Sequence, residues 1–344
     1  MKKLILIATL VLLNLNNNVN AQTIVEKVDT KPIAILKGTT NRYSYIKLTG
    51  NFLGVIESES GDIVIYNLTT KISKVKVGSW FQFLKENRIA ISTGKNIEIY
   101  NLANLNTPIK TLEIPVGFFG ISPDEQYVLA SKYEKDEASI VCYLLETGKL
   151  IAEGSLNKIG MEVASSGYLT SAFSFQTDPL DKKPYVAILG KDKNYKSKMI
   201  YIYYQENPML LQTPVEHPVK LGTNGESFDQ TETTSIIAYD GLGRDNFKIV
   251  EYNIYSNQFT TLVDSKNRPE DVAQYIYQVC AFGKYLAAAV GKKTLLWKRT
   301  DQGSYQYYKT IMSDFGDVKP ISISPDGKRI AVTNATTISI YNVE

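Results

Sequence analysis

Seven times along this chain a short apolar run ends on an aromatic residue. The runs are Ile63-Val-Ile-Tyr66, Ile97-Glu-Ile-Tyr100, Ile140-Val-Cys-Tyr143, Ile200-Tyr-Ile-Tyr203, Ile249-Val-Glu-Tyr252, Thr294-Leu-Leu-Trp297 and Ile338-Ser-Ile-Tyr341. The aromatic anchors follow one another at 34, 43, 60, 49, 45 and 44 residues. A period of that size marks one supersecondary unit copied along the chain. No single copy can bury its own apolar face, so the copies must pack against one another. Four anchors continue as Tyr-Asn, a natural exit into a turn.

The last unit is the clearest. In Pro320–Val343, Ile321 and Ile323 alternate with serines, Ser324-Pro325-Asp326-Gly327 makes a turn, Ile330–Val332 is a second run, and Ile338–Tyr341 a third. Proline presets φ, aspartate bonds the backbone two residues on, and glycine accepts positive φ. Earlier units carry the same pair of strands before the anchor. Tyr43–Leu48 and Phe52–Ile56 flank Thr49-Gly50-Asn51, and Trp80–Leu84 and Arg88–Ser92 flank Lys85-Glu86-Asn87. Phe118–Ile121 and Tyr127–Ser131 flank Ser122–Glu125, while Tyr275–Phe282 and Tyr285–Val290 flank Gly283-Lys284. Downstream of the first six anchors comes a fourth strand: Lys71–Val77, Ile109–Ile114, Leu150–Glu153, Met209–Val215, Gln258–Val263 and Tyr305–Ile311.

Four antiparallel strands per unit, repeated seven times, predict an all-β chain folded as a single seven-bladed β-propeller. The blades run over about 41–77, 78–114, 115–154, 155–217, 218–265, 266–312 and 313–344. The seventh lacks a fourth strand. Pro32–Lys37 resembles Pro108–Glu113 and has nothing else to pair with, so residues 31–38 are expected to complete the last blade and close the ring; the rival is an open six-and-a-half-blade solenoid with two exposed edges. Unit four carries extra chain. There Tyr168–Phe175 reads as the inner strand and Tyr185–Leu189 as the next, leaving Ser155–Gly167 as a long connection; the alternative puts the extra residues between strands two and three.

The Ser-Pro-Asp-Gly turn at 324–327, its counterpart Ser122-Pro123-Asp124-Glu125 and the Ile-x-Ile-Tyr-Asn endings resemble the repeats of WD-repeat and TolB-like propellers. The resemblance covers the mature chain and is strongest in units one to three and seven. Tyr-Asn stands where WD repeats have Trp-Asp, Trp297 is followed by Lys298, and the Gly-His signature is missing. What the resemblance implies is a fold and a habit of binding partners.

Residues 1–21 stand apart. Met1-Lys2-Lys3 is a positive start, Leu4–Leu13 an apolar run, and Val19-Asn20-Ala21 a small-residue cleavage site. The run falls short of the roughly 20 residues that span a bilayer. A Sec signal peptide cleaved after Ala21 is expected, delivering residues 22–344 to the periplasm or the outside of a bacterial cell. Without Lys2 and Lys3 the chain holds 36 basic and 35 acidic residues, a net charge of +1. That balance argues against a nucleic-acid partner. Cys142 and Cys280 fall in different, non-adjacent units and read as two buried free thiols.

The search for chemistry is thin. The only histidine, His217, lies between prolines, there is no Gly-x-Ser-x-Gly elbow, and Asp240–Arg244 reads as a hairpin turn rather than a nucleotide loop. No cofactor is expected. The carboxylate pairs are Glu57 with Glu59, Asp178 with Asp181, and Asp314 with Asp317. Only the last lies on a connection that opens on the channel face, so a metal site, if any, would use Asp314 and Asp317. On that face the binding candidates are Arg42, Arg244, Arg268, Asp271, Asp314 and Phe315, because arginine and aromatics favour interface hot spots. The sequence therefore points to an exported, monomeric, non-enzymatic propeller that serves as a protein-interaction or ligand-binding scaffold, its partner another protein or an envelope component. The rival is a carboxylate- and metal-dependent propeller hydrolase or lactonase.

Overall fold

The computed structural model describes residues 28–29, 31–37, 43–134, 137–162, 174–177, 183–192, 197–205, 210–211, 215–216, 229–230, 235–240, 247–253, 258–269, 276–312, 320–334 and 337–344. The segment 1–21 lies outside them. Among the described residues the chain is all β apart from one 3-10 turn at Asn157–Ile159, and its strands form seven sheets.

The first sheet orders Tyr43–Thr49, Phe52–Glu57, Ile63–Asn67 and Ile72–Lys76 as successive antiparallel neighbours. The second repeats this with Trp80–Leu84, Arg88–Ser92, Ile97–Asn101 and Lys110–Leu112, and the third with Phe119–Ile121, Tyr127–Glu134, Glu137–Leu144 and Leu150–Ser155. Sheet five runs Asp229–Gln230, Ser235–Asp240, Lys248–Asn253 and Gln258–Val263. In sheet six the order is Ile276–Phe282, Tyr285–Val290, Lys293–Arg299 and Tyr305–Met312. The described turns at 50–51, 85–87, 123–125, 283–284 and 325–328 fall where the proline, glycine and asparagine signals put them, whereas 241–244 of the expected Asp240–Arg244 turn lie outside the described residues. Asn67 shows why the anchors continue as Tyr-Asn: its side-chain oxygen accepts from the backbone N–H of Thr69 and Thr70, and Asn101 does the same for Ala103.

Sheet seven pairs Ile321–Ile323, Arg329–Thr333 and Thr337–Asn342, and its outer member is Ala34–Lys37 from the other end of the chain. The register sets Ile35 opposite Ser339 and Leu36 opposite Ile338. A few residues earlier, Val28–Asp29 adds in parallel to the outer strand of sheet six, opposite Thr310 and Ile311. The sequence pattern gave no sign of that fifth strand. Two residues are too few for a periodic signal.

Sheet four differs from the expectation. Pro184–Asp192 and Ser197–Tyr203 form its middle, but its first position is split. Met161–Glu162 pairs with Lys191 and Asp192, while Ser174–Thr177 pairs with 184–187. The segment assigned to a connection between blades thus contributes a strand at Met161–Glu162, while residues 168–173 of the expected inner strand Tyr168–Phe175 lie outside the described residues. The outer position is split as well, into Leu210–Leu211 and Val215–Glu216.

Cores form between sheets. Ile63, Ile65, Phe81 and Ile91 join sheets one and two, and Phe119, Val128, Ile99 and Leu112 join two and three. Ile140 packs with Ile188 and Ile200 across three and four, Ile249 with Trp297 across five and six, and Leu296 with Ile321 across six and seven. Leu48, Leu53 and Val55 meet Ile338 and Ile340, so sheet one also packs on sheet seven. This is why a second strand such as Tyr285–Val290 can be apolar throughout: both of its faces are covered. In Tyr285–Val290 every residue is buried. The approach is close enough that a Cβ at Gly54 would overlap the Phe81 ring.

Candidate interaction surfaces

First strands of neighbouring sheets lie beside one another at the joints two–three, five–six, six–seven and seven–one. A side chain on one first strand bonds the backbone of the next. The Gln82 amide donates to the Ile121 carbonyl (2.9 Å) and accepts from its N–H (2.8 Å). Gln278 accepts from Ile321 N–H at 2.8 Å, and Ser322 Oγ accepts from Leu48 N–H at 3.1 Å.

At the start of the first strands in sheets one to three, Tyr45, Trp80 and Phe118 form an aromatic row with ring centroids 4.4 Å apart at each step. Each is half-buried. The backbone beneath is tied down: Ser79 Oγ donates to the Gly117 carbonyl at 2.8 Å, and Ser92 Oγ donates to the Val116 carbonyl. Beside the row, Tyr43 pairs across the strand with Glu57, which is only 2% exposed and accepts from Ser60 Oγ. Burial, with the neighbouring Tyr66 and Glu57, pushes the Tyr43 phenol well above its usual range; burial and Glu57 push Tyr66 up too. Glu59 is exposed, so the Glu57–Glu59 pair is divided between inside and outside. The row was missed in the sequence. Its signal was an aromatic directly before an apolar residue in the first strand of three successive units: Tyr45-Ile46, Trp80-Phe81 and Phe118-Phe119.

Of the sequence-derived binding residues, Arg42, Arg244, Asp271, Asp314 and Phe315 lie outside the described residues, as do Asp317, His217 and the pair Asp178 and Asp181. Arg268 is described. It is 7% exposed, with its guanidinium 5.1 Å from the centre of the Phe247 ring. Next to it the Asn267 carbonyl accepts from Trp297 Nε1 at 2.7 Å, so this loop is knitted into the joint of sheets five and six. Among the described residues no three His, Cys, Asp or Glu side chains gather as metal ligands, and no helix is long and apolar enough to cross a membrane. Cys142 and Cys280 are buried thiols in sheets three and six, not joined in a disulfide; burial pushes the Cys142 thiol up to about 12.

The outer strands carry a second surface. The exposed large hydrophobics among the described residues are Ile33, Ile35, Ile72, Val75, Val77, Ile109 and Leu150, all on or beside outer strands of sheets seven, one, two and three.

No family model matches the chain, and no curated protein matches it. Solved structures do. A chain of a mitotic checkpoint complex aligns at TM-score 0.57 and 12% identity, covering 94% of this chain and 98% of its own. The WD40 repeats of RRP9 align at TM-score 0.58 and 8% identity, covering 92% and 100%; a structure of U3-55K aligns at 0.57 and 8%, covering 90% and 98%. At such identities the likeness is one of fold. The chain has the fold of the WD40-repeat propellers, and the WD-repeat side of the resemblance seen in its turns is the side that these structures carry.

Proposed function

We propose that the mature chain, residues 22–344, is an exported, closed seven-bladed propeller that acts as a non-enzymatic protein-interaction scaffold in or outside the bacterial envelope. The observation that carries this reading is the way the two chain ends meet. Ala34–Lys37 supplies the outer strand of the sheet that ends the chain, and the same sheet packs on sheet one through Ile338, Ile340 and Leu48. A ring tied at that seam is rigid and displays loops and outer strands on a fixed frame. The neighbours add support, since one is a chain of a checkpoint complex, a multi-protein assembly by its name. The half-buried aromatic row Tyr45–Trp80–Phe118 gives such a scaffold a stacking platform on the face that carries the inter-blade connections.

The test is native mass spectrometry with metal analysis on protein purified from its host's envelope fraction. The scaffold reading expects a metal-free chain beginning after Ala21 that is recovered with an envelope protein. A stoichiometric divalent ion, lost on substitution of Asp314 and Asp317, overturns it in favour of a hydrolase or lactonase.

A further inference from the structure

We propose that the outer strand of the first sheet, Ile72–Lys76, accepts an extended acidic segment of a partner protein as a fifth strand. This deepens the scaffold reading and rests on it. An edge strand turns alternate backbone N–H and C=O groups away from its sheet, a template for another chain. Ile72–Lys76 is the terminal member of its sheet, and four of its five residues are exposed. Its apolar side chains face water to an unusual degree, with Ile72 60%, Val75 55% and Val77 82% exposed. Strand geometry puts Ile72, Lys74 and Lys76 on one face and Val75 and Val77 on the other.

The charge defines the partner. Lys71, Lys74 and Lys76 are the ionisable residues of 68–78, and no acidic residue interrupts them. Lys74 Nζ donates to Asn106 Oδ1 at 3.2 Å and Lys76 Nζ sits 4.2 Å from the Tyr100 ring centre, so two ammonium groups are held along the side facing sheet two. A strand alternating Asp or Glu with aliphatic residues would meet these lysines on one face and the valines on the other. The molecule already adds a strand to an outer edge: Val28–Asp29 lies along the outer strand of sheet six.

The probe is a capped decapeptide alternating Glu and Val, titrated onto the full mature chain and followed by fluorescence anisotropy and amide hydrogen exchange. The expected result is binding with exchange slowed about tenfold or more over 68–79, the mark of new backbone hydrogen bonds. A Lys74→Glu/Lys76→Glu variant with an unchanged circular dichroism spectrum should lose about tenfold or more in affinity and prefer a Lys–Val decapeptide. Protection elsewhere, equal binding of the two peptides to the unaltered chain, or no binding overturns the proposal. Protection of 68–79 that grows with protein concentration alone assigns the strand to a second copy, and also overturns it. A native partner that still binds the charge-reversed variant sinks this inference and leaves the scaffold standing, whereas a metal-bound, partnerless chain sinks the scaffold itself.

Discussion

The joint between sheets two and three and the joint between sheets six and seven are built on one plan with different final latches. In each, a first-strand glutamine reaches the next first strand: Gln82 to Ile121, Gln278 to Ile321. Each then meets a Ser-Pro-Asp turn with the same internal wiring. Ser122 Oγ donates to Asp124 Oδ1 (2.5 Å) and accepts from Tyr127 N–H (3.0 Å); Ser324 Oγ donates to Asp326 Oδ1 (2.5 Å) and accepts from Arg329 N–H (3.0 Å). The turns part at their fourth residue. Gly327 takes a φ of 67° without steric cost, while Glu125 holds 59°, a left-handed conformation that costs a side-chain-bearing residue about 1 kcal/mol. The glutamate's carboxylate accepts from Lys85 N–H (2.5 Å) and Arg88 Nη2 (2.6 Å), fastening sheet three to sheet two. In the other joint the place of Arg88 is taken by Tyr285, whose ring would lie 3.5 Å from a Cβ at Gly327. Local strain is accepted where it gains an ionic latch, and avoided where a ring supplies the contact.

Removing the shared core should cost most. Phe119→Ala empties a fully buried ring site between sheets two and three and is expected to lose about 3–5 kcal/mol in urea unfolding. Ile321→Ala, at the matching place between six and seven, should lose about 2–5 kcal/mol. A loss under 1 kcal/mol at either site would mean that the joint is not a packed core.

The glutamines come next. Gln82 makes two bonds to Ile121, so Gln82→Ala should cost about 1–3 kcal/mol. Gln278→Ala, losing the bond to Ile321 N–H, should cost less, and an inverted order breaks the shared plan. Smaller still is the latch. Glu125→Gly exchanges relief of strain for loss of the carboxylate and should stay within about 1 kcal/mol of the parent. Glu125→Ala loses the carboxylate while keeping the strain and should be the worse of the two. A double-mutant cycle of Arg88→Ala and Glu125→Gln should show coupling of about 0.5–1 kcal/mol that shrinks in salt.

The smallest effect is a pH dependence. The Ser324 hydroxyl holds the Asp326 carboxyl below the usual carboxylate range, helped by Lys328 N–H and the Arg329 and Lys328 charges. A carboxyl lowered on folding adds stability above its unfolded pKa, and loses it as pH falls through the folded value. Acid titration of the melting temperature should therefore be shallower in Asp326→Asn.

Which parts of this were legible follows from the range over which each cause acts. Trp80–Leu84, Arg88–Ser92, Tyr285–Val290 and Gln258–Val263 stand in the structure at the limits their pattern set, because strand period and turn chemistry act over a few residues. The Ser-Pro-Asp turns were legible for the same reason. The latches were not: Arg88 and Glu125 are 37 residues apart, and only the repeat register brings them together. Met161–Glu162 was read as connection because a strand broken in two has no run long enough to show a period. Lys71–Val77 was recognised as an outer strand, yet alternation alone does not tell how far such a strand stands open to water. Of the binding residues chosen from loops, Arg268 turned out to lie over Phe247, since burial depends on a neighbouring sheet.

The central claim is the seam at which Ala34–Lys37 completes the sheet formed by residues 321–342. Ile35 and Ser339 face each other across it, so an Ile35→Cys/Ser339→Cys variant places two thiols on adjacent strands. Mild oxidation of the folded chain should close an intramolecular disulfide between them, leave buried Cys142 and Cys280 reduced, and raise the melting temperature. Thiols that stay open, or pair only between molecules, would show that residues 34–37 do not hold the last sheet and that the ring is not tied there.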